Sequence, residues 1–211
     1  MLLASGLKFA YDGGEPMSFP DICCDKGEHW LLLGSSGSGK TTLLHLLAGL
    51  RTPAAGEVRI GETELGSMPA SQLDVFRGRN IGIVFQQPHF VRSLNVSENL
   101  LLTQYLAGVK PNQERISQML YRLGIQHKEQ AQTSELSQGE QQRLALARAL
   151  INDPAVILAD EPTSALDDGN TDAVINLLEE QAERSDATLL VVTHDTRLKS
   201  RFEKHIILEA L

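Results

Sequence analysis

Gly34-Ser35-Ser36-Gly37-Ser38-Gly39-Lys40-Thr41 narrows what this chain can fold into more than any other stretch. It lies between an apolar run, Trp30 to Leu33, and a segment, Thr42 to Leu50, in which Leu43, Leu44, Leu46, Leu47 and Leu50 recur at helical spacing. Strand, glycine loop and helix in that order make a phosphate cradle. The glycines let backbone N–H groups approach phosphate oxygens, and the positive end of the helix faces the anion. In such a cradle Lys40 reaches the β- and γ-phosphates, Thr41 holds Mg²⁺, and the remaining loop residues with Thr42 complete the nucleotide contact. A glycine- and serine-rich turn that matched by chance would not come with both the flanking strand and the helix.

Bulk properties bound what surrounds this loop. The chain's 211 residues, 42% of them hydrophobic, suffice for one domain with a sizeable core and room for a subdomain. A net charge of −8 argues against a general nucleic-acid binder, whose affinity would come from clustered Lys and Arg. The two cysteines, Cys23 and Cys24, are adjacent, which suits neither a structural disulfide nor a zinc site and fits a reducing compartment. The N-terminus lacks the pattern of a signal peptide, and no apolar run approaches the roughly 18 residues of a membrane span. The expectation is a cytoplasmic protein that does not insert in the membrane and touches it only through a partner.

Along the chain, Leu2 to Tyr11 alternates like a strand, Asp12-Gly13-Gly14 turns, and Pro16 to Asp25 leads into a second extended stretch, together an antiparallel edge layer. Tyr11 has two readings: a half-buried strand aromatic, or a ring that stacks on adenine. Val58 to Ile60 reads as a strand, Pro69 to Phe76 as a short helix, and Ile81 to Phe85 as a buried strand running out at Gln86. Gln86 either satisfies a turn or contacts Mg²⁺ or the attacking water. Val96 to Leu106 and Gln113 to Leu123 carry apolar residues at three- and four-residue spacing, so residues 87–132 form a helical insertion whose end, Gln126 to Ser134, reads as a surface linker.

Ser137 and Glu140 stand at capping-box spacing and open a helix to about Ile151. Capping does not explain Gly139, which costs about 0.5–1 kcal/mol relative to Ala within a helix. Glycine there admits a close approach to the helix N-terminus, where partial positive charge suits phosphate. Ala155 to Ala159 is an uninterrupted apolar strand of the type buried on both faces, and it ends in Asp160-Glu161-Pro162. Asp160 fits a Mg²⁺-binding acid and Glu161 a general base that polarises water. Asp168 to Glu183 reads as an amphipathic helix. Thr188 to Val192 is another buried strand, ending at Thr193-His194-Asp195, where His194 is either a turn residue or part of a ligand site. Lys204 to Leu208 is the last strand.

Over essentially its whole length the chain resembles an ABC-type ATPase subunit. The matching elements stand in order: Tyr11 as the adenine-stacking aromatic, Gly34 to Thr41 as Walker A, Gln86 as the Q-loop, Leu136-Ser137-Gln138-Gly139-Glu140 as the signature, Val156 to Glu161 as Walker B, Ser164-Ala165-Leu166-Asp167 as the D-loop and His194 as the switch histidine. The family's signature is usually L-S-G-G-Q, so Gln138 and Glu140 depart from it. The wording around Gln86 and Ser137 looks most like the small subunits of lipoprotein-releasing and macrolide-exporting systems.

The resemblance implies an α/β P-loop NTPase (RecA-like) core with an antiparallel β edge layer and an inserted α-helical subdomain: one domain over residues 1–211, with residues 1–86 and 133–211 as catalytic core and 87–132 as the helical part. It implies ATP and Mg²⁺ as ligands, with Lys40, Gln86, Glu161 and His194 in catalysis and Thr41, Gln86 and Asp160 at the metal. It also implies a head-to-tail dimer with a second copy, in which Ser137, Gly139 and Glu140 of one subunit face the phosphate loop of the other. It further implies an integral membrane permease docked on the helical part at the cytoplasmic face of the inner (plasma) membrane, with Phe90 and Val91 either in that groove or in the insertion's own core. An ABC-type ATPase that transmits force or a signal without moving solute has the same residues. A soluble ABC-type ATPase of DNA repair or translation would carry insertions or duplications absent here, and a small-molecule kinase would leave the signature, Gln86 and His194 unexplained.

Overall fold

The computed structural model describes residues 1–163 and 168–209, so the D-loop match Ser164-Ala165-Leu166-Asp167 lies outside the described residues. The chain opens with a strand, β1 (Leu2–Phe9), against which β2 (Met17–Ser18) and β3 (Ile22–Cys24) fold back antiparallel. Next come β4 (His29–Gly34), the glycine loop and α1 (Lys40–Leu47). Then β5 (Ala55–Ile60) pairs with the other edge of β1 and with β6 (Thr63–Glu64). The expected edge layer is thus a five-stranded sheet of its own. Its two-residue β6 carries too little pattern to be read from sequence.

After α2 (Ala70–Asn80) the chain continues through β7 (Ile81–Val84), α3 (Val96–Leu106), α4 (Gln113–Arg122), α5 (Gln138–Leu150), β8 (Val156–Asp160), α6 (Asp168–Ser185), β9 (Thr188–Thr193) and β10 (Lys204–Leu208). The second sheet has the order β10-β4-β9-β8-β7, all parallel. Every residue of β8 and β9 is buried, as continuous apolar runs require in a sheet covered on both faces. Alternate side chains serve two cores. Leu31, Ile157, Ala159, Leu189 and Val191 face the helices α3 to α6, whereas Leu32, Val156, Leu158, Leu190 and Val192 face α1 and the antiparallel sheet.

Several boundaries and one assignment differ from the sequence reading. β1 stops at Phe9, so Tyr11 is not a strand residue but an exposed turn residue, 45% accessible. α1 begins at Lys40 and ends at Leu47, because Gly39 and Gly49 adopt left-handed φ values of 87° and 63° that bound it. α2 continues to Asn80, and α6 to Ser185. The segment Gln126 to Ser134 is not a loose linker. It forms 3-10 turns at Gln126–Lys128 and Thr133–Glu135, its Glu129 carbonyl accepts Ser97 N, and its Glu129 carboxylate accepts Gln113 Nε2 and Ser117 Oγ. Among the described residues no helix is long and apolar enough to cross a membrane. Cys23 and Cys24 are both unbridged.

The bottom edge of the parallel sheet is pinned by one carboxylate. Glu28 accepts Trp30 Nε1 at 2.9 Å and Asp25 N at 2.8 Å and pairs with Lys204 at the start of β10. The Lys204 contact, followed by those two hydrogen bonds, lowers its carboxyl from 4.5 to about 2. The folded state therefore holds this group ionised more strongly than the unfolded chain does. That stabilisation is complete above about 4.5 and is lost as pH falls toward about 2. Glu28→Gln is expected to lower the urea midpoint at pH 7, and its gap from the parent chain narrows as the measurement moves to pH 4 and below. A gap independent of pH would contradict the ion pair.

Candidate functional site

Because β4, β7, β8 and β9 run parallel, their carboxyl ends open on the same edge, where open α/β sheets hold ligands. The glycine loop leaves β4 at Gly34, and its two left-handed positions, Gly37 (φ 83°) and Gly39 (φ 87°), are conformations that side chains disfavour. Gly34 has no room for a side chain: a Cβ there would come 2.4 Å from Ser38 Oγ and 3.0 Å from the Leu208 carbonyl. α1 has no side-chain N-cap and no acid in its first turn, so its N–H groups stay available to an anion. Lys40, only 8% exposed, folds back so that its ammonium donates to the Gly34 carbonyl (2.8 Å) and the Ser35 carbonyl (2.9 Å). An ammonium has three donors, which leaves one to point outward.

The acids come from the end of β8. Thr41 Oγ1 donates to Asp160 Oδ2 at 3.0 Å, joining the loop after β4 to a strand that β9 separates from it. The other oxygen, Asp160 Oδ1, is buried with no hydrogen-bond partner among the described residues, an arrangement that calls for an added cation or donor. Burial pushes the Asp160 carboxyl above its usual range and the adjacent Glu161 adds to this, while the Thr41 hydrogen bond works the other way. Hard oxygen donors around an unpaired buried carboxylate fit Mg²⁺, which takes one or two carboxylates along with phosphate oxygens.

Glu161 turns the chain out of β8 with a left-handed φ of 47°, strain of order 1–3 kcal/mol for a residue other than glycine. Its amide donates to the Val192 carbonyl (2.8 Å) and its carboxylate accepts Thr193 Oγ1 (2.9 Å) and His194 N (3.1 Å), with His194 Nδ1 2.8 Å away. His194 itself stays largely exposed. Glu161 and His194 both line a cavity of about 520 Å³. Ser36, Gly37, Gly39, Lys40, Thr41, Thr42, Tyr11, Met17 and Gln86 line the rest of it. Gly34, Ser35 and Ser38 are not among the lining residues, Ser35 being exposed and Ser38 buried, and Asp160 joins the site through its hydrogen bond from Thr41.

Ser137, Gly139 and Glu140 are not part of this cavity. They form the start of α5 as a capping box: Ser137 N donates to Glu140 Oε2 (2.8 Å), Ser137 Oγ to the same oxygen (2.9 Å), and Glu140 N back to Ser137 Oγ (3.4 Å). Those hydrogen bonds hold the Glu140 carboxyl below its usual range. A Cβ on Gly139 would meet nothing within 4 Å, so packing inside the chain does not demand glycine there. Phe90 and Val91 divide: Phe90 packs on the helical core beneath the Arg148 guanidinium, 5.6 Å from its ring centroid, whereas Val91 is 42% exposed.

Several contributors carried no signal of their own in the sequence. Met17 lines the cavity and Phe19 Cε1 lies 3.1 Å from where a Gly39 Cβ would sit, yet only the pairing of β2 with β1 brings that stretch beneath the loop. Thr193 could have been noticed as a hydroxyl at the end of a buried strand.

The ABC transporter family profile matches residues 20–164. The chain belongs to the ABC transporter family. The lipoprotein-releasing system ATP-binding protein LolD of Idiomarina loihiensis is 36% identical over 203 residues, 94% of this chain and 89% of that protein. LolD of Saccharophagus degradans is 37% identical over 188 residues, 88% of this chain and 82% of its own length. Among solved structures, a dimeric post-hydrolysis state of the ATP-binding cassette MJ0796 with ADP and Pi is 31% identical, with a TM-score of 0.89 over 100% of this chain and 96% of that one. A dimeric structure of MJ0796 described as a bacterial ABC transporter cassette, also 31% identical, has a TM-score of 0.90 over 99% of this chain and 94% of that one. This ABC transporter chain is accordingly an ATP-binding, ATP-hydrolysing subunit with the P-loop fold.

For an ABC subunit the loop geometry makes a direct demand on Lys40. Lys40→Ala removes the one ammonium aimed at the cradle and is expected to weaken ATP binding by calorimetry at least about 10-fold, given roughly 1.5–3 kcal/mol for a hydrogen bond to a charged group. Unchanged affinity would contradict a phosphate cradle at this loop.

Proposed function

We propose that this chain energises a membrane ABC transport complex as a head-to-tail dimer that closes on two ATP molecules and docks an integral membrane permease through residues 87–132. One observation carries the reading. Lys40, Thr41, Gln86, Glu161 and His194 surround one cavity with Asp160 beneath it, while Ser137 and Gly139 open elsewhere, with no packing reason for the glycine. A second copy that brings its own Ser137 and Gly139 to this cavity completes a site that one chain holds only in part.

In this reading the loop N–H groups and Lys40 bind and orient the phosphates, and Tyr11 stacks on adenine. Glu161 accepts a proton from water as that water's oxygen bonds to the γ-phosphorus and the bond to the ADP oxygen breaks, yielding ADP and phosphate. Thr193 and His194 hold the Glu161 carboxylate in position for this. Thr41, Asp160 and Gln86 would hold Mg²⁺, which supplies charge neutralisation on phosphate oxygens when bound. Gln86 follows β7 at the start of the helical segment, so contact with the permease there acts on the same edge of the sheet. Because nucleotide bridges two copies, binding favours the closed dimer and hydrolysis removes the bridge, which moves the partner by differential affinity.

That the LolD relatives are ATP-binding proteins of a lipoprotein-releasing system supports a system of that type, and the permease in this reading places the chain at the cytoplasmic face of the inner membrane. Glu161→Gln is expected to bind ATP without turnover and to double its mass in light scattering at saturating ATP. A monomer under those conditions rules out the shared site in the isolated chain. Ser137→Ala is expected to slow hydrolysis about 100- to 1,000-fold, the range for losing one donor to transition-state charge, with ATP affinity of the monomer unchanged. Full activity in that variant reduces Ser137 to a helix cap. Glu161→Gln recovered from native membranes with ATP should bring a permease with a large extracytoplasmic domain, and exclusively soluble companions overturn the transport reading.

A further inference from the structure

Tyr11 is exposed, yet it is held on three sides. Its hydroxyl oxygen lies 3.0 Å from Thr42 Oγ1 in a shared hydrogen bond. Its ring meets Phe9 edge to face, centroids 4.9 Å apart and planes at 89°. Arg51 spreads its guanidinium over the ring with the central carbon 4.8 Å from the centroid, and the same group reaches the Phe9 ring at 5.5 Å. A cation within about 6 Å of an aromatic centroid is attracted to the ring face.

The two neighbours of the ring belong to different spaces. Tyr11 lines the 520 Å³ cavity, whereas Arg51 lines a separate cavity of about 200 Å³ and is not among the residues around the first. The guanidinium thus lies over the ring without lining the cavity that the ring lines. Both anchors belong to α1 and its exit. Thr42 sits in its first turn beside Lys40 and Thr41, and Arg51 lies just past its end, its amide donating to the His45 carbonyl at 3.2 Å. One helix thus ties the aromatic shelf to the phosphate cradle, which sets the span between them.

We infer that Arg51 is a positioning residue for the nucleotide base: by closing one face of Tyr11 from behind, it holds the ring as a one-sided shelf at a set distance from the phosphate loop. This rests on the proposed stacking of adenine on Tyr11. The ligand portion it governs is a purine ring, not the phosphates, and this distinguishes it from a general electrostatic role of a surface cation.

The test is calorimetric binding of Mg-ATP and of Mg-tripolyphosphate, which lacks base and ribose, to the purified chain and to Tyr11→Ala, Arg51→Ala, Arg51→Met and the Tyr11→Ala/Arg51→Ala pair. Arg51→Ala and Arg51→Met are expected to weaken ATP about 2- to 5-fold, the range of an exposed cation–ring contact, and to leave tripolyphosphate unchanged. The double variant should be no weaker than Tyr11→Ala alone, since the arginine acts through the ring. ATP weakened by Tyr11→Ala but untouched by either Arg51 variant overturns the inference while stacking stands. Equal weakening of ATP and tripolyphosphate by Arg51→Ala assigns the residue to phosphate attraction and also overturns it. If Tyr11→Ala leaves ATP affinity unchanged, stacking itself fails and the inference falls with it.

Discussion

Parallel pairing of β4 with β9, and of β9 with β8, decides where each charge of the site falls. In register, Leu33 faces Thr193 and Asp160 faces Val192, so the residues that follow these strands emerge side by side from the same edge. A lysine, a threonine, two carboxylates and a histidine far apart in sequence are thereby gathered around one opening. That arrangement depends on two dry cores. Alternating side chains of β8 and β9 fill one core against helices and the other against α1 and the antiparallel sheet, and a one-residue slip would exchange the two sets.

The site is built from groups whose polar demands are only partly met within the chain. Lys40 spends two donors on loop carbonyls, Asp160 leaves one oxygen unpaired, and α1 begins without a side-chain cap. A buried carboxylate without a partner is costly, and burial accordingly raises its proton affinity. An anion at the loop with a cation beside Asp160 relieves both deficits together. Glu161 is a different case: its carboxylate accepts Thr193 Oγ1 and His194 N and keeps lone pairs for a further donor, and the left-handed backbone that holds it there is strained. Strain of this kind persists where surrounding structure fixes the residue, here through the hydrogen bond that the Glu161 amide donates to the Val192 carbonyl.

What could be read in advance followed from how local the signal was. The core strands near Ile81, Val156 and Thr188 were legible because continuous apolar runs bounded by turn residues have few alternatives. The helix Val96–Leu106 was legible from its spacing, and its Asn95–Glu98 capping box agrees with that start. Tyr11 was misread as a strand residue because the β1 pattern gives no sign that pairing with β2 ends at Phe9. The stretch around Glu129 looked like a polar linker because its hydrogen bonds go to Ser97, Gln113 and Ser117 on α3 and α4, contacts that no local pattern encodes.

By itself, the order of residues determined that a phosphate loop, two strand-end acids, a glutamine, a histidine and a capped glycine-containing helix exist, because each depends on neighbours within about one turn or one strand. The tertiary structure alone decided that Thr41 meets Asp160, that Glu161 is held by Thr193, that Met17 and Phe19 lie beside the cradle, and that Arg51 backs Tyr11. These are contacts between segments joined only by sheet register and core packing. Their geometry follows from how the two sheets and the helices packed on them bury apolar surface together, and no short window of sequence contains that information.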